Sequence, residues 1–199
     1  MRNLTSATTL LAILISSSIA AASTPKLKIK TKHGNELEQR KREQLERLAQ
    51  QYDLSKYTLT RDIMIEQGAM NHSMPTLTLN PGFLNDDDLA LSAYIHEQGH
   101  WVLVERHRFD NPRLFEDLYS AFPGLPTEWP QGSGGVKDTY FHLVVCTLEW
   151  EGMEDLVGHE RARRAIEWKQ RDHYTAIYAT VLQKREQIEG IMHRYGVKF

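Results

Sequence analysis

Cysteine is nearly missing from this chain: Cys146 stands alone among 199 residues, so no disulfide can form within it. The fold must rest on a packed core, with a bound group as its only other staple. A long apolar run is missing too. The one near the start is broken by Ser16, Ser17 and Ser18, short of the roughly 20 residues that cross a bilayer. Nor is there an excess of one charge: the formal net charge of -2 removes any general attraction to nucleic acid or anionic membranes. Internal repeats and low-complexity tracts are absent, which excludes solenoid and linker architectures.

What is present begins with an export pattern. Arg2 gives a positive start, residues 10–15 an apolar stretch, and Ala20 and Ala22 an A-x-A-like cleavage site. The expectation is a signal peptide over 1–22, a single domain over 23–199, and a periplasmic or secreted protein that leaves the membrane once the signal is removed. With 41% hydrophobic and 25% charged residues, the remainder has an ordinary globular balance.

Residues 26–34, with Lys26, Lys28, Lys30 and Lys32, read as a solvated leader, and a charge-rich helix with Leu37, Leu45, Leu48 and Tyr52 near one face follows over 36–52. Near alternation over 57–66, a turn over 70–74 and the run 75–80 predict two strands of a small antiparallel sheet. Pro75 cannot donate a ladder hydrogen bond, so the second strand starts there or lies at an edge, and an edge is either covered or open to an extended peptide. The oxygens of 85–88 cap a helix running to about residue 108. Pro112 opens another to about 122, and proline and glycine make 123–136 a loop. A helix from 138 to 158 and a helical span over 160–195, bent or split near Asp172, complete an α+β domain rich in helix.

One pattern carries chemistry. His96 and His100 of His96-Glu97-Gln98-Gly99-His100 are separated on a helix by about 40° and about 6 Å, so both imidazoles can reach one ion. Glu97, about 100° from His96, can approach a water there without being a ligand. Leu89, Ala93, His96, His100 and Leu103 share a stripe, and two histidines on a buried stripe need polar partners that packing does not supply. Gly99 carries a cost of roughly 1 kcal/mol in a helix interior, which points to close approach of another backbone or a substrate.

With the run 76–79 ahead of it, 94–101 resembles the edge strand and active-site helix of the zincin metallopeptidases. The resemblance implies one Zn2+ per chain, Glu97 as general base, peptide or protein substrates, and a third metal ligand elsewhere. It also implies a small antiparallel sheet followed by a helix-rich zincin-like domain. No third histidine follows at the metzincin spacing, since His107 comes one position late. That leaves the gluzincin type, whose third ligand is a glutamate on a later helix.

Residues 140–155 offer two such glutamates. Glu149 shares a face with His142, Cys146, Gly152 and Met153 and is the preferred metal ligand; Glu151, with Asp155 four positions on, is the rival, and His159 a weaker third. His142 and Tyr178 are the candidates for stabilising the oxyanion; the alternative for His142 is a helix-end histidine bonded to backbone and that for Tyr178 a core aromatic, and Tyr174 lies one turn before Tyr178. The glycine-rich loop can cover the cleft or be a plain connection. The expectation is thus a zinc-dependent metallopeptidase with Glu97, Tyr178 and His142 catalytic and His96, His100 and Glu149 holding the metal. The alternative is an exported zinc-binding scaffold without catalysis. A di-metal bundle would need a second E-x-x-H pair beside Glu97 and His100, and the chain has none.

Overall fold

The computed structural model describes residues 26–105 and 111–199, so the expected signal peptide and the end of the 85–108 helix lie outside the described residues. The elements are β1 (Lys28–Thr31), α1 (Glu36–Gln51), a 3-10 turn (Ser55–Tyr57), β2 (Asp62–Ile65), β3 (Leu77–Leu79), α2 (Asp87–Glu105), α3 (Pro112–Ala121), α4 (Val136–Val157), α5 (His159–Asp172) and α6 (Thr175–Arg194).

The sheet corrects the expectation of antiparallel strands. Its order is β1-β2-β3 and both pairings are parallel, with Ile63 opposite Ile29 on one side and Leu77 on the other. Helix α1 is the crossover that parallel pairing of β1 and β2 requires. Between β2 and β3 the segment 66–76 runs back instead of turning tightly, and it makes its own antiparallel bridge to the far side of β3. There His72 N–H donates to Thr78 O at 3.0 Å and Thr78 N–H to His72 O at 2.7 Å. Thus β3 is an edge strand in the sheet, but its edge is covered at Thr78.

Residues 26–34 also depart from a solvated leader. Lys28 to Thr31 pair with β2, and their burial alternates between exposed and intermediate. The lysines occupy the outward positions of a half-covered strand, a usual protection for a sheet edge.

Helix ends follow the expected chemistry. Asn35 accepts from Glu38 N–H, Asp86 from Leu89 N–H and Asn111 from Leu114 N–H, each satisfying an amide that the first turn leaves free. The expected span 160–195 divides after Asp172, where His173 is extended and Tyr174 takes the left-handed conformation at φ 50°.

Two apolar clusters share α2 and α4. One joins Leu45, Leu48, Ile63, Leu77, Leu91 and Ile95 beneath the sheet; the other joins Leu103, Val144, Leu148, Ile177 and Val181 among the helices. Two glycines bring α2 and α4 together. A Cβ on Gly99 would sit 3.4 Å from Val145 Cγ1, and one on Gly152 would collide with Ile95 Cγ2 at 2.7 Å. The close approach expected at Gly99 is therefore to another helix, and it sets the histidines of α2 against those of α4.

Candidate metal centre

Every residue of the 96–100 run has a separate task. Gln98 is fully buried and faces the sheet side: its Oε1 accepts from the N–H groups of Leu59 and Thr60 at 2.8 and 3.0 Å, and its Nε2 donates to Thr60 O at 2.8 Å. This anchors α2 to the segment leading into β2. Gly99 meets α4. His96, Glu97 and His100 are left facing the cleft between α2, α4 and the α5–α6 junction.

The ligating nitrogens of His96, His100 and His142 come within 4.8 Å of one another. Their protonation suits a cation. His142 Nδ1–H donates to Asp138 O at 2.9 Å, and His96 Nδ1 meets Glu149 Oε2 at 2.9 Å. Bonding both rings through Nδ1 leaves Nε2 of each as the atom turned toward the other histidines. Burial, with His96 and His142 as neighbours, pushes the His100 pKa well below its ordinary value. Burial and His96 likewise lower His142 to about 4, against the pull of its Asp138 bond. Neutral imidazoles are the form that binds metal.

Glu149 is placed differently from its expected part as a ligand. It is fully buried, and both oxygens accept: Oε1 from Ser92 Oγ, and Oε2 from His96 Nδ1 and from Tyr178 OH at 2.8 Å. Burial favours its neutral form, but Lys169 and the His96 and Ser92 bonds outweigh that and hold its pKa below the ordinary carboxylate value. Such a carboxylate behind a histidine fixes the ring's orientation and raises its basicity. His96, Cys146 and Glu149 form a second group with ligand spacing. An ion there would have to displace the proton shared by His96 and Glu149, and burial pushes the Cys146 thiol well above its ordinary range. The three histidines are the better donor set.

Glu97 contrasts with Glu149. It is 5% exposed, yet its Oε2 is buried without a hydrogen-bond partner among the described residues. Burial raises its pKa, with His96 and Lys169 opposing. A buried carboxylate oxygen without a donor is costly and calls for a proton, a cation or a ligand.

Among the other expected residues, Tyr178 is wholly buried and its hydroxyl is committed to Glu149, so it supports the site from behind. Glu151 turns toward α6, 3.6 Å from His193 Nε2. Asp155 pairs with Lys56 and Tyr57, and His159 with Glu154. None of these three joins the histidine cluster.

Tyr174 reaches the cleft. Its ring lies 4.5 Å from that of His142 and stacks on His96 at 6.4 Å. A tyrosine in the left-handed region carries backbone strain that packing must hold, and such strain gathers at functional sites. The glycine-rich loop adds Trp129, 62% exposed, which stacks on His173 at 5.9 Å. The loop is pinned to α6 where Thr175 and Ala176 N–H groups donate to Pro130 O and Gln131 O. A cavity of about 300 Å³ opens between Trp129, Tyr174, Phe83, Asn80 and the His96-Glu97 edge of α2, with Lys169 in its wall.

Sequence reasoning missed Ser92 and Lys169. Ser92 stands one turn before His96, on the stripe already assigned to the interior. Lys169 continues the apolar stripe of Ala162 and Ile166, and all three are buried. A lysine at an apolar position of an amphipathic helix was the available signal. Comparison with protein-family models, with curated proteins and with solved structures finds no match to this chain.

Proposed function

We propose that the chain is a zinc-dependent hydrolase of peptide bonds, with His96, His100 and His142 as metal ligands, Glu97 as general base and Glu149 as the residue that positions His96. The observation carrying this reading is the convergence of three imidazoles beside a buried carboxylate oxygen that lacks a donor among the described residues. Three protein ligands are the usual complement of a catalytic zinc site, whereas structural sites are closed by four. Bound zinc supplies Lewis acidity, which polarises the scissile carbonyl and acidifies water.

The chain's own groups supply the rest. Glu97 takes a proton from the attacking water and delivers one to the leaving amine nitrogen, so that OH adds to the carbonyl carbon and H to nitrogen as the C–N bond breaks. Burial suits it to this work, because a carboxylate with a raised pKa holds the proton between the two transfers. Glu149 and Asp138 O hold two of the rings in one tautomer. Tyr174 takes the position in the cleft that sequence reasoning gave to Tyr178, and its hydroxyl is the proposed donor to the developing oxyanion.

The test pairs zinc analysis with peptide-library cleavage for wild type and Glu97→Gln. The expected result is one zinc per chain in both proteins and cleavage by wild type alone. Equal cleavage by both removes Glu97 from the reaction, and a wild type that binds no zinc ends the reading.

A further inference from the structure

Lys169 is the one lysine in the wall of the cleft, and its surroundings are unusual for an ammonium group. The side chain is 5% exposed, rises from α5, and passes its Nζ over the Phe83 ring at 5.7 Å. Its nearest anion, Glu149 Oε1, is 4.0 Å away, beyond hydrogen-bond distance. An ammonium has three donors, and no described residue accepts a hydrogen bond from this one. Lys169 supports the charge of Glu149 through space, but the hydrogen bonds to that carboxylate come from Ser92, His96 and Tyr178.

The contrast with Lys41 shows what a settled buried lysine looks like here. Lys41 Nζ donates to Gly82 O at 2.9 Å and Gln44 Oε1 at 3.1 Å. Among the described residues Lys169 is a buried lysine that makes no hydrogen bond, and it borders the same cavity as Glu97.

We propose that Lys169 recognises a carboxylate of the substrate, so that the cleft takes peptides bearing a carboxylate close to the scissile bond. The inference rests on the hydrolase reading of the cleft and names its substrate class. A carboxylate in the cavity gives the ammonium the charge-assisted bonds it lacks. Such bonds reward a ligand that brings the charge and penalise one that leaves the ammonium unpaired. Two sources have this chemistry, the C-terminal carboxylate of a chain end and the side chain of an acidic residue.

Calorimetric titration of the zinc-loaded full-length protein tests it with three blocked dipeptides: one ending in a free carboxylate, its primary amide, and an amide carrying an aspartyl side chain. Wild type should bind at least one carboxylate probe about 10-fold or more tighter than the plain amide, and the tighter of the two identifies the source. Lys169→Met should weaken that probe about 10-fold and leave the plain amide within about twofold, with Lys169→Arg retaining part of the preference. Because Lys169 also supports the charge of Glu149, zinc content is measured for each protein; with one zinc retained in all three, any carboxylate affinity of the metal is common to them and the change on substitution isolates the lysine. Should Lys169→Met not fold, Lys169→Gln carries the same comparison. Equal affinities in wild type, undetectable binding of all probes, or a preference unchanged in the variant overturns the proposal. Binding needs no turnover, so failure here is distinct from failure of the hydrolase reading, which shows in the Glu97→Gln cleavage assay.

Discussion

Glu97 adjoins His96 in sequence, Glu149 bonds to its ring, and the two are nearly equally buried, yet their surroundings differ. Behind His96, Glu149 takes hydrogen bonds from α2 and α6 and has its pKa lowered. On the cleft side, Glu97 has an oxygen with no donor among the described residues and its pKa raised. Burial acts on both in the same direction; what separates them is whether the protein supplies partners. A saturated carboxylate holds geometry, and an unsaturated one remains free to move a proton.

Five substitutions break or sharpen that contrast. The largest effect is expected for Glu97→Gln, which should lower kcat by about 10²–10⁴-fold with zinc content unchanged, measured by steady-state cleavage beside elemental analysis. Next come the metal affinities. His142→Ala, which removes a ligand, should weaken zinc binding by more than about 100-fold in a competitive chelator titration, and Glu149→Gln, acting through His96, by about 10–100-fold.

Tyr178→Phe should follow, destabilising the fold by about 1.5–3 kcal/mol in denaturant titration, the range for a hydrogen bond to a charged group. The smallest effect is a control on a third acidic residue. Burial and the neighbouring Glu189 raise Glu151 from its ordinary 4.5 to about 7. The folded state therefore binds this proton more tightly than the unfolded state, and the associated stability is fully present below about pH 4.5 and lost as pH rises through 7. Glu151→Gln should thus gain about 1–2 kcal/mol over wild type as pH rises across that interval, the partial exposure of the side chain reducing the full shift. No gain in urea melts at pH 8 would remove Glu151 from the contrast.

Legibility followed how local each feature was. The placing of His96, Glu97 and His100 on one helix, the cap at Asp86 and the break after Asp172 are set by spacing and side-chain chemistry within a few residues, and all were readable. Strand direction was not. The segment 66–76 contains a hairpin-like bridge, but its partner is the outer side of β3 rather than β2, and that choice depends on contacts distant in sequence.

The lysines of 26–32 repeat every second residue, the period of a half-covered strand, and with only small apolar positions between them they fit a solvated leader as well. On α4, the sequence placed His142 and Glu149 on one face and preferred Glu149 as the metal ligand, but it could not show which of them the protein's own groups would saturate. That was decided by Ser92 and Tyr178, which come from α2 and α6 and saturate Glu149. The fold drew Tyr174 into the cleft and left Tyr178 behind it, although both lie on one helical face.

The most direct test of three histidines in front and a positioning glutamate behind is zinc K-edge X-ray absorption of the metal-loaded protein. Three imidazole nitrogens at about 2.0–2.1 Å, falling to two in His142→Ala and staying three in Glu149→Gln, is the expected result. Two imidazoles and a carboxylate in wild type, with the carboxylate lost in Glu149→Gln, would contradict it.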